Sequence, residues 1–166
     1  FQTDYQRPPL PSPKRGIDTV YGDSPGLDMN GFLVAVLVGE PKNFSYVGQT
    51  FNVDDVNPRH EQYVIFPYKA DKKGGVGPGG DLYDAWCKQI FAAINGGKVP
   101  GKEEDYADVG AEPGTNDRLL YTKGLGEYTD TKPRDQDFVF WSYGHDGIKG
   151  TKTSTAYAGS DDVINW

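Results

Sequence analysis

Two apolar segments with different residue patterns constrain the fold of this chain more than any other feature. The first, at residues 31–39 (GFLVAVLVG), has leucine, valine and phenylalanine at helical spacing. The second, at residues 137–143 (DFVFWSY), is rich in bulky and aromatic residues, which are typical of strands. Long polar stretches rich in glycine and proline separate them. The pattern predicts one α+β domain over residues 1–166, with a short helix packed on a small antiparallel sheet and long loops.

The first segment predicts a helix that runs from about Pro25 to Val38. Ser24 is a suitable N-cap, and proline is favoured at the first helical position. Gly39, followed by Pro41, is expected to end the helix. The apolar residues of this stretch are spaced to line one face of the helix, and they are Leu27, Phe32, Leu33, Val36 and Leu37.

The rest of the chain predicts short strands joined by turns. Residues 46–62 have an irregular, polar pattern, and Tyr63–Phe66 is expected to be a short strand or an extended segment. The glycine-rich residues 74–80 lack the lysine and Ser/Thr of a phosphate-binding loop, so we expect a flexible connection. A turn around Asp84 is expected to lead into a strand, and Asn95–Gly97 into a tight turn. Residues 101–131 predict a long loop around a short strand or helical turn at Arg118–Tyr121.

The N-terminal residues Phe1–Arg7 fit the last turns of a helix that began upstream. Four prolines at positions 8, 9, 11 and 13 then force extended backbone. Because the chain opens with phenylalanine rather than methionine, we expect a processed or trimmed product. Its longest apolar run is far shorter than the roughly 20 residues that cross a bilayer.

Charge and cysteine content exclude several classes of function. The net charge of −7 repels phosphate, so a nucleic-acid partner is not expected. A single cysteine, Cys87, rules out an internal disulfide, and its apolar neighbours predict a buried, inert thiol. Trp86 and Trp141 are likewise expected in the core.

The sequence contains no strong catalytic motif, and we expect a protein that is not an enzyme. The two histidines, His60 and His145, have no Gly-x-Ser-x-Gly partner motif, and no paired spacing of histidine and cysteine suggests zinc. Two alternatives stay open: an extracellular carbohydrate-binding module, and a hydrolase that uses dispersed carboxylates. The candidate carboxylates are Asp84, Asp137, Asp146 and Asp161.

The C-terminal acidic residues are candidate calcium ligands. Asp146 lies in a Gly-His-Asp-Gly turn directly after the aromatic strand, and Asp161 and Asp162 follow a polar loop. Calcium takes several oxygens from carboxylates and backbone carbonyls, and flexible loops supply them. From spacing alone, a solvated acidic loop explains the same residues.

Several collinear motifs resemble the major pseudopilins of type II secretion. Phe138–Gly147, followed by a polar loop and Asp161–Trp166, resembles their closing strand, Gly-x-Asp-Gly turn and Asp-Ile-x-x-Trp-like tail. Asp84–Ile90 is similar to their Asp-Pro-Trp-Gly-Asn-x-Tyr turn into a strand, and Asn95–Val99 continues it as a hairpin. Asp4–Pro9 resembles the end of the long pilin helix. Alanine and cysteine stand at 85 and 87, where that motif has proline and glycine.

The resemblance implies a pilin-like head domain without its N-terminal hydrophobic helix. That helix would precede Phe1 and anchor the protein in the inner membrane, with the head in the periplasm or, in a pilus, at the cell surface. The implied function is a structural subunit that polymerises into a fibre with copies of itself, other pseudopilins and the secretion machinery. The resemblance also implies calcium, with side chains of Asp146 and Asp162, the backbone carbonyl of Tyr143, and Asp161 as a further ligand.

Overall fold

The fold is α+β, as expected, with small antiparallel sheets. The structure is a computed structural model, and it describes residues 1–5, 8–11, 19–22, 30–46, 49–96, 138–148, 161 and 163–164. Among these residues the α-helices are α1 (Gln2–Tyr5) and α2 (Gly31–Val38), and a 3₁₀ turn covers Val53–Asp55. The strands are β1 (Thr19–Tyr21), β2 (Asn43–Tyr46), β3 (Gln49–Asn52), β4 (Gly75–Val76), β5 (Leu82–Tyr83), β6 (Phe91–Ile94), β7 (Phe138–Ser142) and β8 (Val163–Ile164).

The largest sheet has four antiparallel strands in the order β1-β6-β7-β8. The central pair aligns Phe91 with Trp141 and Ala93 with Val139. Two small hairpins, β2–β3 and β4–β5, form separate two-stranded sheets. The aromatic C-terminal strand that the sequence predicted is therefore a central strand of the main sheet.

Helix α2 packs against one face of the main sheet and also against the β2–β3 hairpin. Phe32 stacks on Tyr21 of β1 with ring centroids 6.3 Å apart, and its edge meets Phe44 and Phe51 of the hairpin. Residues 31–36 are consequently buried all round the helix, Val34 and Ala35 included. The expectation of a single buried face was wrong, because a second layer of structure covers the side that would otherwise face water.

The opposite face of the sheet holds a second apolar cluster, which consists of Val20, Ala93, Val139 and Trp141. Alternate residues of a strand point to opposite faces, so neighbours in the register share this side. The Trp141 ring stacks on Phe91 with centroids 5.4 Å apart, and its side chain is 2 % exposed. The predicted core position of Trp141 is confirmed.

The ends of α2 are set by residues from elsewhere in the chain. The helix begins at Gly31, whose N–H donates to the Asp81 carboxylate at 3.0 Å, and a negative charge at this end is favourable. The predicted start at Ser24 and Pro25, with Leu27, falls on residues 23–29, outside those described. The predicted end at Gly39 is confirmed, with φ +74°. A side chain at Gly39 would overlap the His60 carbonyl.

Several other expectations are corrected by the structure. Of the two alternatives for Tyr63–Phe66, the strand is not formed; Tyr63 donates its N–H to the Leu37 carbonyl at the end of α2, at 2.8 Å. Residues 46–62 include β3 and the 3₁₀ turn rather than irregular chain, and residues 74–80 belong to the β4–β5 hairpin rather than a flexible connection. These hairpins are short and polar, so their pairing leaves little periodic signal.

The turn after Asp84 and the strand that follows it are confirmed, but the turn's side chains are not buried. Trp86 is 41 % exposed and Cys87 is exposed, so the predicted core positions of both were wrong. Cys87 has φ +65°, a conformation that occurs in tight turns, and the turn faces water. Gly97, the Arg118–Tyr121 element and the 101–131 loop lie beyond the described part.

The N-terminal helical turn is present as α1, and Gln6 and Arg7 are outside the described residues. Pro8–Pro11 is non-helical, as predicted, but the backbone bends at Pro9 rather than staying extended, and Leu10 is buried in the main core. No helix among the described residues is long and apolar enough to cross a membrane.

Candidate metal centre at the C-terminal turn

The C-terminal acidic residues are brought together because β8 folds back on β7. Trp141 pairs with Ile164, and Ser142 pairs with Val163. Between them the chain turns at residues 144–147, and Gly144 has φ +63°. A side chain at Gly144 would overlap the Asp161 backbone, so this close approach requires glycine. The C-terminal tail therefore lies against the aromatic strand β7.

Two of the predicted ligands, Asp146 and Asp161, are neighbours in space. The Asp146 N–H donates to Oδ2 of Asp161 at 3.0 Å. The Ile148 N–H donates to Oδ1 of Asp146 at 2.7 Å, which closes a local turn. Both side chains are exposed. Asp146 and Asp161, which are 15 positions apart in the sequence, are thus joined directly by one hydrogen bond.

The charge of Asp161 is stabilised by the backbone of this turn. The hydrogen bond from the Asp146 N–H lowers the pKa of the Asp161 carboxyl below its ordinary value, and the N–H groups of Asp161 and His145 act in the same direction. A carboxylate that accepts several N–H groups is held in its charged form. At neutral pH the turn therefore presents an ionised, acceptor-only group.

The remaining predicted ligands are placed only in part. Tyr143 directly precedes the turn, and its half-buried ring packs on Phe91 with centroids 4.7 Å apart. Asp162 is not among the described residues. Within the described ranges, no group of three or more His, Cys, Asp or Glu side chains is arranged to hold a metal ion. The described residues thus offer two carboxylates, and calcium requires further oxygens.

Asp84 holds the turn of residues 84–88 against the C-terminal turn, a role that sequence reasoning missed. Its Oδ1 accepts the N–H groups of Trp86 at 2.8 Å and Lys88 at 2.9 Å. Its Oδ2 accepts a hydrogen bond from the Ser142 hydroxyl. That hydroxyl in turn accepts the Gly144 N–H at 3.1 Å. The signal for it was an aspartate that opens a turn, since such side chains commonly bond backbone two residues ahead.

Lys88 brings a positive charge to the same turn. Its side chain lies across Gly147, and its Cε and Nζ are 2.8 Å and 2.7 Å from the position that a Cβ on Gly147 would occupy. A residue other than glycine at 147 would displace this lysine. The C-terminal turn is thus flanked by Asp161 on one side and by the Lys88 stem on the other.

The candidate hydrolytic residues that the structure describes differ in their surroundings. Asp84 is buried against Ser142, whereas Asp146 and Asp161 are exposed at the turn, and Asp137 lies outside the described ranges. His60 is 3.7 Å from Asp54, and His145 lies in the C-terminal turn at residues 144–147. The most organised chemical feature among the described residues is therefore the Asp146–Asp161 turn with its Asp84–Ser142 support. No protein-family model, curated protein or solved structure matches this chain.

Proposed function

We propose that this chain is the head domain of a structural subunit of a type II secretion pseudopilus or a related pilus, which polymerises into a fibre. One observation carries the proposal: the two segments with the most specific resemblance are built into one unit. Strand β6, which follows Asp84–Ile90, pairs with β7 over four residue pairs, and Asp84 accepts the Ser142 hydroxyl hydrogen bond. Motifs that are about fifty residues apart in sequence thus support each other in the fold.

The packing of α1 supports the proposed membrane attachment. The Tyr5 hydroxyl donates to Oδ1 of Asn57 at 2.7 Å, and the Phe1 ring contacts Tyr5 and Tyr63 with centroids 4.8 Å and 5.2 Å apart. A hydrophobic helix that continues α1 upstream would leave the head from this aromatic cluster. We infer a stem in the inner membrane and a head in the periplasm.

Calcium is proposed as the ion that stabilises the C-terminal turn. The ligands would be the carboxylates of Asp146, Asp161 and Asp162 and the backbone carbonyl of Tyr143. The observation in its favour is the approach of Asp146 to Asp161, where an ionised carboxylate is held in place by backbone N–H groups. A divalent cation would neutralise these charges and hold the tail against β7.

Two measurements test this proposal. The complete gene is expected to encode about twenty apolar residues directly before Phe1, preceded by a short basic leader. A cleavable signal peptide or another domain in that place would contradict the fibre proposal and favour a binding module or a hydrolase.

For calcium, the melting temperature of the chain is expected to rise when calcium is added after chelation, because a ligand that binds the folded state stabilises it. The rise should be lost in Asp146→Ala and Asp162→Ala, and magnesium serves as the matched control ion. A calcium-dependent rise that survives in both variants would show that these ligands are wrong.

A further inference from the structure

A basic surface with exposed aromatic side chains lies at one end of the β4–β5 hairpin. We call it the basic platform, and it consists of Tyr68, Lys69, Lys72, Lys73 and Trp86. Its two parts are joined by backbone contacts: the Gly74 N–H donates to the Asp84 carbonyl at 2.7 Å, and the Cys87 Sγ lies 3.4 Å from the Asp71 carbonyl oxygen. The segment that carries the lysines (residues 69–73) and the turn that carries Trp86 (residues 84–88) therefore form one continuous surface.

The platform is ordered by its own contacts. The Lys69 N–H donates to the Val76 carbonyl at 2.9 Å, and the Lys72 N–H donates to the Lys69 carbonyl at 3.0 Å. The Lys72 ammonium lies 5.0 Å from the centre of the Tyr83 ring. A surface that is already ordered loses little conformational entropy when it docks, which favours its use as a contact surface.

The platform combines exposed aromatic side chains with positive charge. The Tyr68 side chain is 67 % exposed, and Trp86 is exposed on the adjoining turn. Aromatic residues supply most of the binding free energy of interfaces, whereas lysines at the rim supply orientation and steering. Three lysines and one aspartate between positions 69 and 73 make this segment positive, although the whole chain has a net charge of −7.

A surface with a surplus of acidic side chains lies at the C-terminal end of α2, where Lys42 and Arg59 are the basic residues nearby in sequence. We call it the acidic face, and it consists of Glu40, Asp54, Asp55 and Glu61, all exposed. Gly39 packs against the backbone of His60 and Glu61, which brings Glu61 next to Glu40. The Val53 N–H donates to the Lys42 carbonyl at 3.1 Å, which places the 3₁₀ turn with its two aspartates beside the same helix end.

We propose that the basic platform of one copy docks on the acidic face of a second copy of this chain. The proposal rests on the proposed fibre function and deepens it, because it assigns the contact between neighbouring head domains to named residues. The two surfaces are different patches, so the contact is heterologous, and it repeats without closing unless the rotation forms a ring. Copies with a net charge of −7 otherwise repel, and the platform supplies the local attraction that docking requires.

Cysteine cross-linking tests the contact directly, because the native Cys87 is exposed at the edge of the platform. The variant Glu61→Cys places a second thiol on the acidic face without altering the backbone hydrogen bonds of Glu61. Under mild oxidation of this 166-residue chain we expect a ladder of disulfide-linked dimers, trimers and longer products. Raising the salt to 1 M should weaken the ladder, since screening shortens the range of the attraction to about 3 Å.

Charge reversal provides the specificity control. Lys69→Glu/Lys73→Glu, added to Glu61→Cys, should reduce the ladder by about tenfold or more, because like charges then face each other. Adding Glu40→Lys/Asp54→Lys should restore it, and Lys69→Arg/Lys73→Arg should leave it intact. Ser45→Cys, on exposed β2, is the matched control thiol.

Three outcomes would overturn the contact: no ladder, an equal ladder from Ser45→Cys, or dimers linked only through Cys87 to Cys87. The last result would mean that two platforms face each other. None of these outcomes depends on the residues before Phe1. If the gene encodes the apolar helix but the ladder fails, the fibre proposal stands and this contact does not. If the ladder forms but the gene encodes no such helix, this contact stands and the pseudopilus proposal does not.

Discussion

The core around α2 and the unit at the C-terminal turn are stabilised in different ways. Around α2, the rings of Tyr21, Phe32, Phe44 and Phe51 bury apolar surface from four elements. At the C-terminal turn, single polar groups connect the segments: Asp84 to Ser142, Ser142 to Gly144, and Asp146 to Asp161. Burial is non-directional, whereas a hydrogen bond requires one donor and one acceptor in place.

This difference predicts how each region responds to mutation. The α2 core should tolerate changes that keep apolar volume, because its free energy depends on area removed from water. The C-terminal unit should tolerate size changes poorly at its glycines and should respond sharply to the loss of a single acceptor. Mutations in the apolar core and mutations in the polar turn should therefore affect stability in different ways.

The largest effect is expected in the α2 core. Phe32→Ala should lower the free energy of unfolding by about 3–5 kcal/mol, because it removes a ring that contacts both the sheet and the β2–β3 hairpin. Urea unfolding followed by circular dichroism measures the change. Phe32→Leu is the matched control and should lose less. Equal losses in the two variants would contradict the account of this region as packed by apolar volume.

A smaller effect is expected from the polar connection at Asp84. Asp84→Ala should cost about 2–3 kcal/mol, since it leaves two turn N–H groups and the Ser142 hydroxyl without their acceptor. Asp84→Asn keeps one acceptor oxygen and should lose less. Hydrogen exchange of the Gly144 amide reads the connection locally, because that N–H donates to the Ser142 hydroxyl. If its exchange is unchanged in Asp84→Ala, the two turns are not coupled.

The smallest effect is expected from the protonation of Asp161. The turn lowers the pKa of Asp161 in the folded state, so its stabilising contribution is complete above the unfolded-state pKa of about 4 and is lost as the pH falls through the lower folded-state value. Unfolding by urea between pH 6 and pH 2.5 should show this loss in the native chain. Asp161→Asn should lack that component while other carboxylates still titrate. If the free energy of unfolding changes with pH in parallel in the two proteins, Asp161 does not contribute to the loss of stability at low pH.

Local sequence predicted the elements whose signal is strong and short in range. The end of α2 at Gly39, strand β7 and the turn at Asp84 were all readable in advance. Each depends on a residue type with a specific conformational role or on a run of bulky residues. The predicted ligands Asp146 and Asp161 do lie together, whereas Asp162 and Asp137 fall outside the described residues.

The sequence did not show which distant segments pair or pack with each other. The β2–β3 and β4–β5 hairpins are short, and their residues alternate weakly, so a polar loop was the expectation. Trp86 and Cys87 looked like core residues from their apolar neighbours, but a turn with positive φ at Cys87 directs that stretch to the surface. The coverage of α2 on several sides could not be inferred, because the elements that cover it come from other parts of the chain.

The amino-acid sequence by itself determined the turn at Asp84, the end of the apolar helix α2 at Gly39 and the strand that carries the aromatic core, since glycine, proline and bulky residues act through local sterics. Tertiary structure alone decided which surfaces those elements bury. It joined Asp84 to Ser142 across 58 positions and Asp146 to Asp161 across 15. The physical reason is that burial and long-range hydrogen bonds depend on which segments meet, and that is a property of the whole fold.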